Sequence, residues 1–475
     1  MILQAIRQSK RFAIPAKGFS CATGLLMAAS FGGTANAANG DVDATFGNGG
    51  LALGGVLDAD YNVSPKPLVL PDGSVVTCNT LLGNAVSGSD FFIQKFRSDG
   101  TPDTDFSFDG QVTVDFDGNA GGDSCRAVAV DGTGRLVVAG TTTIAGNTDF
   151  AVARLTVDGL LDATLGNGSG KVLVPFDLGG NLDDEVSSLA IQSDGRIVVG
   201  GWVTTATNGD DFAVLRLLDD GTRDPAFNQT GRVTVGFNLP GSATKIDQAL
   251  ALQIDPQGRI VLAGFAYNTI GGDFAVARLL PGGQLDANFS ADGRMTLAMD
   301  LGASKSEAAY TMALQSDGRV VIGGVVDTSP SSTINYDFAI ARLLPDGSPD
   351  ASFGFMGATA IPFDLTANGG DVVLGLAVQG NGSIVAGGFS VGNGGNGRGA
   401  IARVLRNGAL DGTFGTGGKK TYQFAASTSD NQLFTGIALQ GTQIIAAGII
   451  DVADGQFDTL AVRLQNDLIF ASGFE

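Results

Sequence analysis

An all-β fold, assembled from seven copies of one four-stranded unit, is what this 475-residue sequence predicts. Three observations carry that reading. An Asp followed three residues later by an aromatic or Leu returns at Asp43, Asp103, Asp162, Asp224, Asp286, Asp350 and Asp411, in steps of 59 to 64 residues. A period of this length marks stacked or ring-forming repeats. The composition then favours turns over helices: there are 72 Gly, and Glu185, Glu307 and Glu475 are the only glutamates among 48 acids. Finally, the chain starts and ends in the middle of a repeat.

The unit is clearest at residues 187–237. Ser187 to Gln192 forms a strand b, Arg196 to Gly201 a strand c, Asp211 to Leu217 a strand d and Gly231 to Phe237 a strand a. Ser193-Asp194-Gly195 separates b from c, and the Asp224-to-Phe227 element separates d from a. The b–c turn recurs at Asp72-Gly73 and Asp317-Gly318, with Asn381-Gly382 as an equivalent. Both residues of Asp-Gly tolerate positive φ, so a type I′ hairpin is expected. Strand d carries one basic residue in each copy: Lys95, Arg154, Arg216, Arg278, Arg342, Arg403 and Arg463. The expectation is that each pairs with an Asp of its own turn or the next and acts as a structural joint.

Strand c is apolar on both faces, so each sheet must be covered on both sides. Four-stranded sheets packed face to face around an axis satisfy this, which is a β-propeller; an open solenoid is the competitor. The termini decide. Asp43 precedes the first strand d, and nothing follows the last. A strand a at Leu51 to Val56 is therefore the piece missing after Arg463. The predicted architecture is a single seven-bladed β-propeller over residues 38–465, closed by the N-terminal strand completing the last blade.

The stretches Ala313-Leu-Gln-Ser-Asp-Gly-Arg-Val-Val321, Asp337-Phe-Ala-Ile-Ala-Arg-Leu343 and Asp346-Gly-Ser-Pro-Asp-Ala-Ser-Phe-Gly354 closely resemble the delta-60 repeat of bacterial secreted and envelope proteins. The resemblance spans residues 41–465, and the hairpin core is also similar to the NHL propeller repeat. By that likeness strand b is innermost and strand a outermost. The resemblance implies an exported propeller and carries no catalytic residue to transfer. Two copies depart from it: Leu165 replaces the aromatic, and Arg398 stands where strand d has Asp.

Residues 1–37 read as a secretory signal peptide. Arg7, Lys10, Arg11 and Lys17 precede an apolar stretch from Phe19 to Phe31, and Ala35-Asn36-Ala37 offers the cleavage site. An exported chain, in the periplasm, at the cell surface or outside the cell, is expected. Removing the peptide takes the formal charge from −20 to −24. Nucleic acid is thus an unfavourable partner. No stretch is long and apolar enough to span a bilayer, and a monomer is expected. Residues 466–475 break the repeat as a C-terminal tail ending Gly473-Phe474-Glu475.

Catalytic look-alikes fail one by one. Gly388-Phe389-Ser390-Val391-Gly392 fits a nucleophile elbow, which needs a strand-to-helix turn and a His base. The chain has no His, which removes Ser-His-Asp chemistry and most zinc sites. Gly166 to Lys171 resembles a phosphate loop, but Val172 stands where Ser or Thr would bind magnesium. Asp103, Asp105 and Asp109-Gly110 loosely resemble a calcium loop without its bidentate Glu. No cofactor is expected, calcium being the one cation this pattern leaves open. Trp202, the only tryptophan, shares its place with Phe265 and Phe389 and reads as packing.

Topology puts the b–c and d–a turns on one regular rim. The c–d loops and a–b crossovers fall on the other. Those vary, as in Thr328–Asn335 against Asn268–Gly272 and Asn181–Glu185 against Ala425–Asn431. Variable loops on a regular scaffold are where specificity resides. Cys78, at the end of a strand c, and Cys125, at the start of the next strand b, would meet on that rim as a disulfide; two buried thiols are the alternative. The leading functional expectation is a non-enzymatic exported scaffold binding a protein or glycan through the loop rim. A His-independent hydrolase or lyase using Asp residues and a divalent cation at the central channel is the second, and a passive envelope component the third.

Overall fold

The computed structural model of the chain describes residues 38–466 apart from 58–65, 83–87, 117, 119–120, 145, 180–182, 207–208, 242–244, 331–333, 367–368, 393–394, 425–430 and 454–455. The signal segment 1–37 and the tail beyond Asn466 lie outside the described residues. So do parts of three of the four loops compared above.

Among the described residues the regular structure is β strand, with a 3₁₀ turn at Gly166–Gly168. In the copy at 184–235 the strands are Asp184–Ile191 (b), Ile197–Thr205 (c), Gly209–Leu217 (d) and Arg232–Val235 (a), hydrogen-bonded in that order. The same antiparallel order recurs in five sheets of four strands and in one of eight. The eight-stranded sheet is two such units joined by a single parallel bridge between Ser89 and Gly122. Outermost strand a is short because only its first residues find partners on d, as in Phe212↔Val235 to Leu215↔Arg232.

The b–c hairpins differ from the expected type I′. At residues 192–196 only Gly195 has positive φ, at 85°. The amide of Gly195 donates to the Gln192 carbonyl at 2.9 Å, and the Gln192 amide to the Arg196 carbonyl at 2.8 Å. This is a type I turn completed by a left-handed Gly, the pattern of longer hairpin loops. Asp194 keeps a right-handed backbone because its carboxylate accepts the Arg196 amide at 3.2 Å.

Strand b carries a one-residue bulge in six units, at Arg126, Ser187, Leu250, Tyr310, Leu374 and Thr435. A bulge bends its strand and increases the twist, which lets the inner strands crowd together. Between the last two units the approach is so close that a Cβ on Gly375 would sit 2.4 Å from the Ile437 amide nitrogen.

Apolar clusters fill the gaps between successive sheets, such as Phe212, Val214, Leu262 and Ala275. One cluster joins the two ends of the chain: Phe46, Ala52, Val75, Phe96, Ile445 and Ala461. The N-terminal strand Leu51–Leu57 pairs antiparallel with the C-terminal strand Gln456–Leu464 and completes that sheet. Across to the first unit, Gln94 Nε2 donates to the Gly54 carbonyl at 2.6 Å and Thr459 Oγ1 to Gln94 Oε1 at 2.5 Å.

Candidate functional site

The regular rim is built from the predicted pairs. Arg154–Asp162, Arg216–Asp224, Arg278–Asp286, Arg342–Asp350, Arg403–Asp411 and Arg463–Asp43 each meet at 2.8 Å, and Lys95–Asp103 at 2.9 Å. The guanidinium also lies over the aromatic of the same element, 4.6 Å from the Phe227 and Phe289 ring centres. A second nitrogen crosses to the neighbouring unit: Arg154 donates to the Asp219 carbonyl at 2.7 Å, Arg342 to that of Arg406 at 2.6 Å and Arg463 to that of Ser98 at 2.8 Å. One residue thus joins its own turn to the next. Burial opposes ionisation of these acids. The hydroxyl and amide two residues on, together with the Arg, more than offset it, holding Asp162 and Asp350 down at about 2.

The structure joins Cys78 and Cys125, with Cα atoms 5.7 Å apart. They do not lie at strand ends on the loop rim. Cys78 is inside Val75–Leu82 and Cys125 inside Gly122–Val130, both buried, because each strand runs further toward that rim than the apolar pattern suggested. Ser390, of the elbow look-alike, is buried within strand Ile384–Val391. Gly166 to Lys171 is a d–a turn leading into a strand. In the calcium-like stretch, Asp103 is engaged by Lys95 while Asp105 is almost fully exposed.

Sequence reasoning missed a set of carboxylates on the loop rim. Asp123, Asp184, Asp247, Glu307 and Asp371 stand at the start of successive b strands, all buried. Each accepts a backbone amide from the preceding crossover: Phe116, Phe176 and Phe237 at 2.7 Å, Asp300 at 2.9 Å and Phe363 at 2.6 Å. In the last unit the neutral Gln432 takes the position and accepts the Phe424 amide. Strand-d acids stand beside them. Burial, with Asp149 and Asp177 nearby, holds Asp184 up at about 6; burial, with Asp273 and Asp300, holds Glu307 at about 7. At one junction the carboxylates of Asp90, Asp115 and Asp123 come within 4.8 Å of one another, a spacing suited to a hard cation.

Cavities open where the repeat lapses. Arg135, Arg196, Arg259 and Arg319 follow the b–c turn in four units, but Ser383 stands there in the sixth. Beside it lies a polar cleft of 710 Å³ lined by Arg319, Arg342, Arg406 and Gln379. The Gln379 amide is buried with neither polar atom hydrogen-bonded. On the outer edge, Lys171, Arg232, Arg294 and Lys419 each donate to a carbonyl of the preceding strand-a end. Ala358 replaces that staple, and an apolar groove of 470 Å³ follows beside Phe355 and Met356.

Five segments, residues 132–165, 192–227, 256–289, 315–353 and 379–414, match the DUF5122 β-propeller family, a domain of unknown function. Each begins near a b–c turn and ends at the Asp-xx-Phe element. No curated protein matches the sequence. Among solved structures, a protein of unknown function from Dyadobacter fermentans is similar at 10% identity, covering 88% of this chain and 100% of its own, with a TM-score of 0.43. A polysaccharide lyase is similar at 10% identity, 86% and 91% coverage and a TM-score of 0.44. A glucose dehydrogenase is similar at 11% identity, 74% and 99% coverage and a TM-score of 0.39. Likeness this distant carries no argument about activity. The five matched segments, each the same hairpin and turn, support the assignment of the chain to a β-propeller-repeat family.

Proposed function

We propose that the protein is an exported, closed, seven-bladed propeller of the delta-60 type that binds a protein or glycan through its loop rim. The observation that carries the binding reading is the contrast between rims. The regular rim repeats one ion pair in every unit, whereas the loop rim changes length and content from unit to unit. Isolated aliphatics stand exposed on its tips, among them Ile144, Ile270, Leu301 and Ile334. Exposed apolar side chains also stand on the regular rim, such as Phe108 and Phe355, so the reading rests on loops that vary over a constant frame. Against the hydrolase or lyase reading, the described lining of the axial cavity contains no carboxylate. Support for closure comes from the apolar cluster and hydrogen bonds that join the last unit to the first.

The test is a binding screen of the mature chain against a glycan array and purified envelope proteins. It is repeated with the Asn268–Gly272 loop cut to a two-residue turn. The loop variant should keep its melting temperature and lose the ligand; undiminished binding would remove the loop rim from consideration. A second reading is favoured by Gln379, whose buried amide faces the polar cleft on the regular rim. A hydroxyl-rich sugar there would supply its missing partners. In that case Gln379→Leu, and not the loop variant, abolishes binding.

A further inference from the structure

The seven inner strands meet around an axial cavity of 190 Å³. Its wall is formed by one structural position taken once from each unit, the residue just after the strand-b bulge. That position is Ala127, Ser188, Ala251, Thr311, Gly375 and Gly436 in six units, all small and uncharged. In the first unit it is Lys66, two residues before Leu68 just as Ala127 stands two before Ala129. Among the described residues Lys66 is the only charged one lining the cavity, and it is half-buried there.

Nothing among the described residues answers this charge with a hydrogen bond or ion pair. The charge that acts on it is another cation, Arg126, which stands 3.7 Å from Glu185. A buried ammonium without a counter-charge is costly. Burial, and after it the field of Arg126, pulls the Lys66 ammonium down to about 8. At neutral pH it is still mainly protonated, and no described residue supplies it with an acceptor. By volume the cavity has room for about six waters, taking each at ~30 Å³.

We propose that the axial cavity is a binding site for a small oxyanion, an inorganic anion or the carboxylate of an acidic sugar, seated on the Lys66 ammonium. Ammonium-to-oxyanion hydrogen bonds are strong in such surroundings because both partners are charged and largely desolvated. The small residues at the other six positions leave the space, and Lys66 supplies the selectivity for charge. An anion is otherwise repelled at long range by this acidic surface, so binding should need millimolar ligand.

Thermal melting and titration calorimetry at pH 7, with sodium phosphate, sodium acetate and sodium glucuronate as separate probes, test this. At least one probe should raise the wild-type melting temperature beyond equimolar sodium chloride, with an increment that grows with the logarithm of its concentration. Which probe does so tells the inorganic source from the sugar acid. Lys66→Met should weaken that probe at least tenfold, and without added anion it should melt as high as wild type or higher, because an uncompensated charge has been removed. Lys66→Arg should retain binding. The proposal is overturned if no probe stabilises the wild type, if Lys66→Met responds as wild type does, or if Lys66→Met and Lys66→Gln both melt lower in the absence of anion.

Discussion

The two rims use buried carboxylates to opposite ends. On the regular rim, all seven acids of the Asp-xx-Phe element are pulled below the usual carboxylate range and stay ionised. On the loop rim, Asp184, Asp371 and Asp458 are pushed up to about 6 and Glu307 to about 7. Burial raises every one of them. What differs is the company: on one side a basic strand-d side chain and a backbone amide, joined in four units by a hydroxyl; on the other two backbone amides and, for Asp184, Glu307 and Asp371, further carboxylates. The repeated Asp is therefore a joint where an Arg faces it, and a titratable group where none does.

Breaking the joint should cost most where the chain does not already hold the units together. Arg463→Leu leaves Asp43 buried without its cation and removes one of the ties between the N-terminal segment and the last unit. A loss of ~3–5 kcal/mol is expected for removing one partner of a buried pair, measured by urea unfolding. Limited proteolysis should then cut near Leu51. Cleavage no faster than in wild type would argue against closure by this strand. Arg278→Leu removes the same pair between covalently continuous units. It should destabilise strongly without exposing the terminus, and unchanged folding and cooperativity would disprove the joint.

The opposed shifts give stability an optimum in mildly acidic solution. The regular-rim acids have folded values below their unfolded one of 3.8, so their contribution is present above about 4 and is lost as pH falls toward 2. Loop-rim acids have raised folded values, so theirs is full below the unfolded value and is lost as pH rises through about 6 to 7. Glu307→Gln copies what Gln432 already does in the last unit. It should flatten the part of the profile between about 4.5 and 7 and leave the acid limb alone. A variant whose neutral-side slope matches wild type would show that Glu307 titrates normally.

Much of this was legible because the repeat samples each position seven times. The Arg–Asp joints needed only residue type and spacing, and both are unambiguous. Turn geometry was less so: Asp-Gly suits a type I′ turn and a type I turn with a left-handed Gly equally, and Asp194 chose the second through its own carboxylate. Spacing placed Cys78 and Cys125 in adjacent strands but not their depth along them. The acids at Asp123, Asp184, Asp247, Glu307 and Asp371 were visible at repeat spacing. Their meaning depends on which backbone amide each accepts, which no pattern states. Lys66 had no periodic signal at all; it stands out only once seven inner strands are brought into register.

The smallest expected effect separates a loop-rim charge that acts from one that merely lies near. Lys305 and Asp300 meet at 3.8 Å, both exposed, a few residues from Glu307. A pair so solvated is screened by water and salt and gains little over its hydrated ions. Lys305→Gln should therefore change unfolding stability by less than ~0.5 kcal/mol and leave the neutral-side pH slope intact. A steeper slope would mean that Lys305 reaches Glu307 through Asp300. The carboxylates of this rim would then form one coupled network instead of separate pins on each crossover.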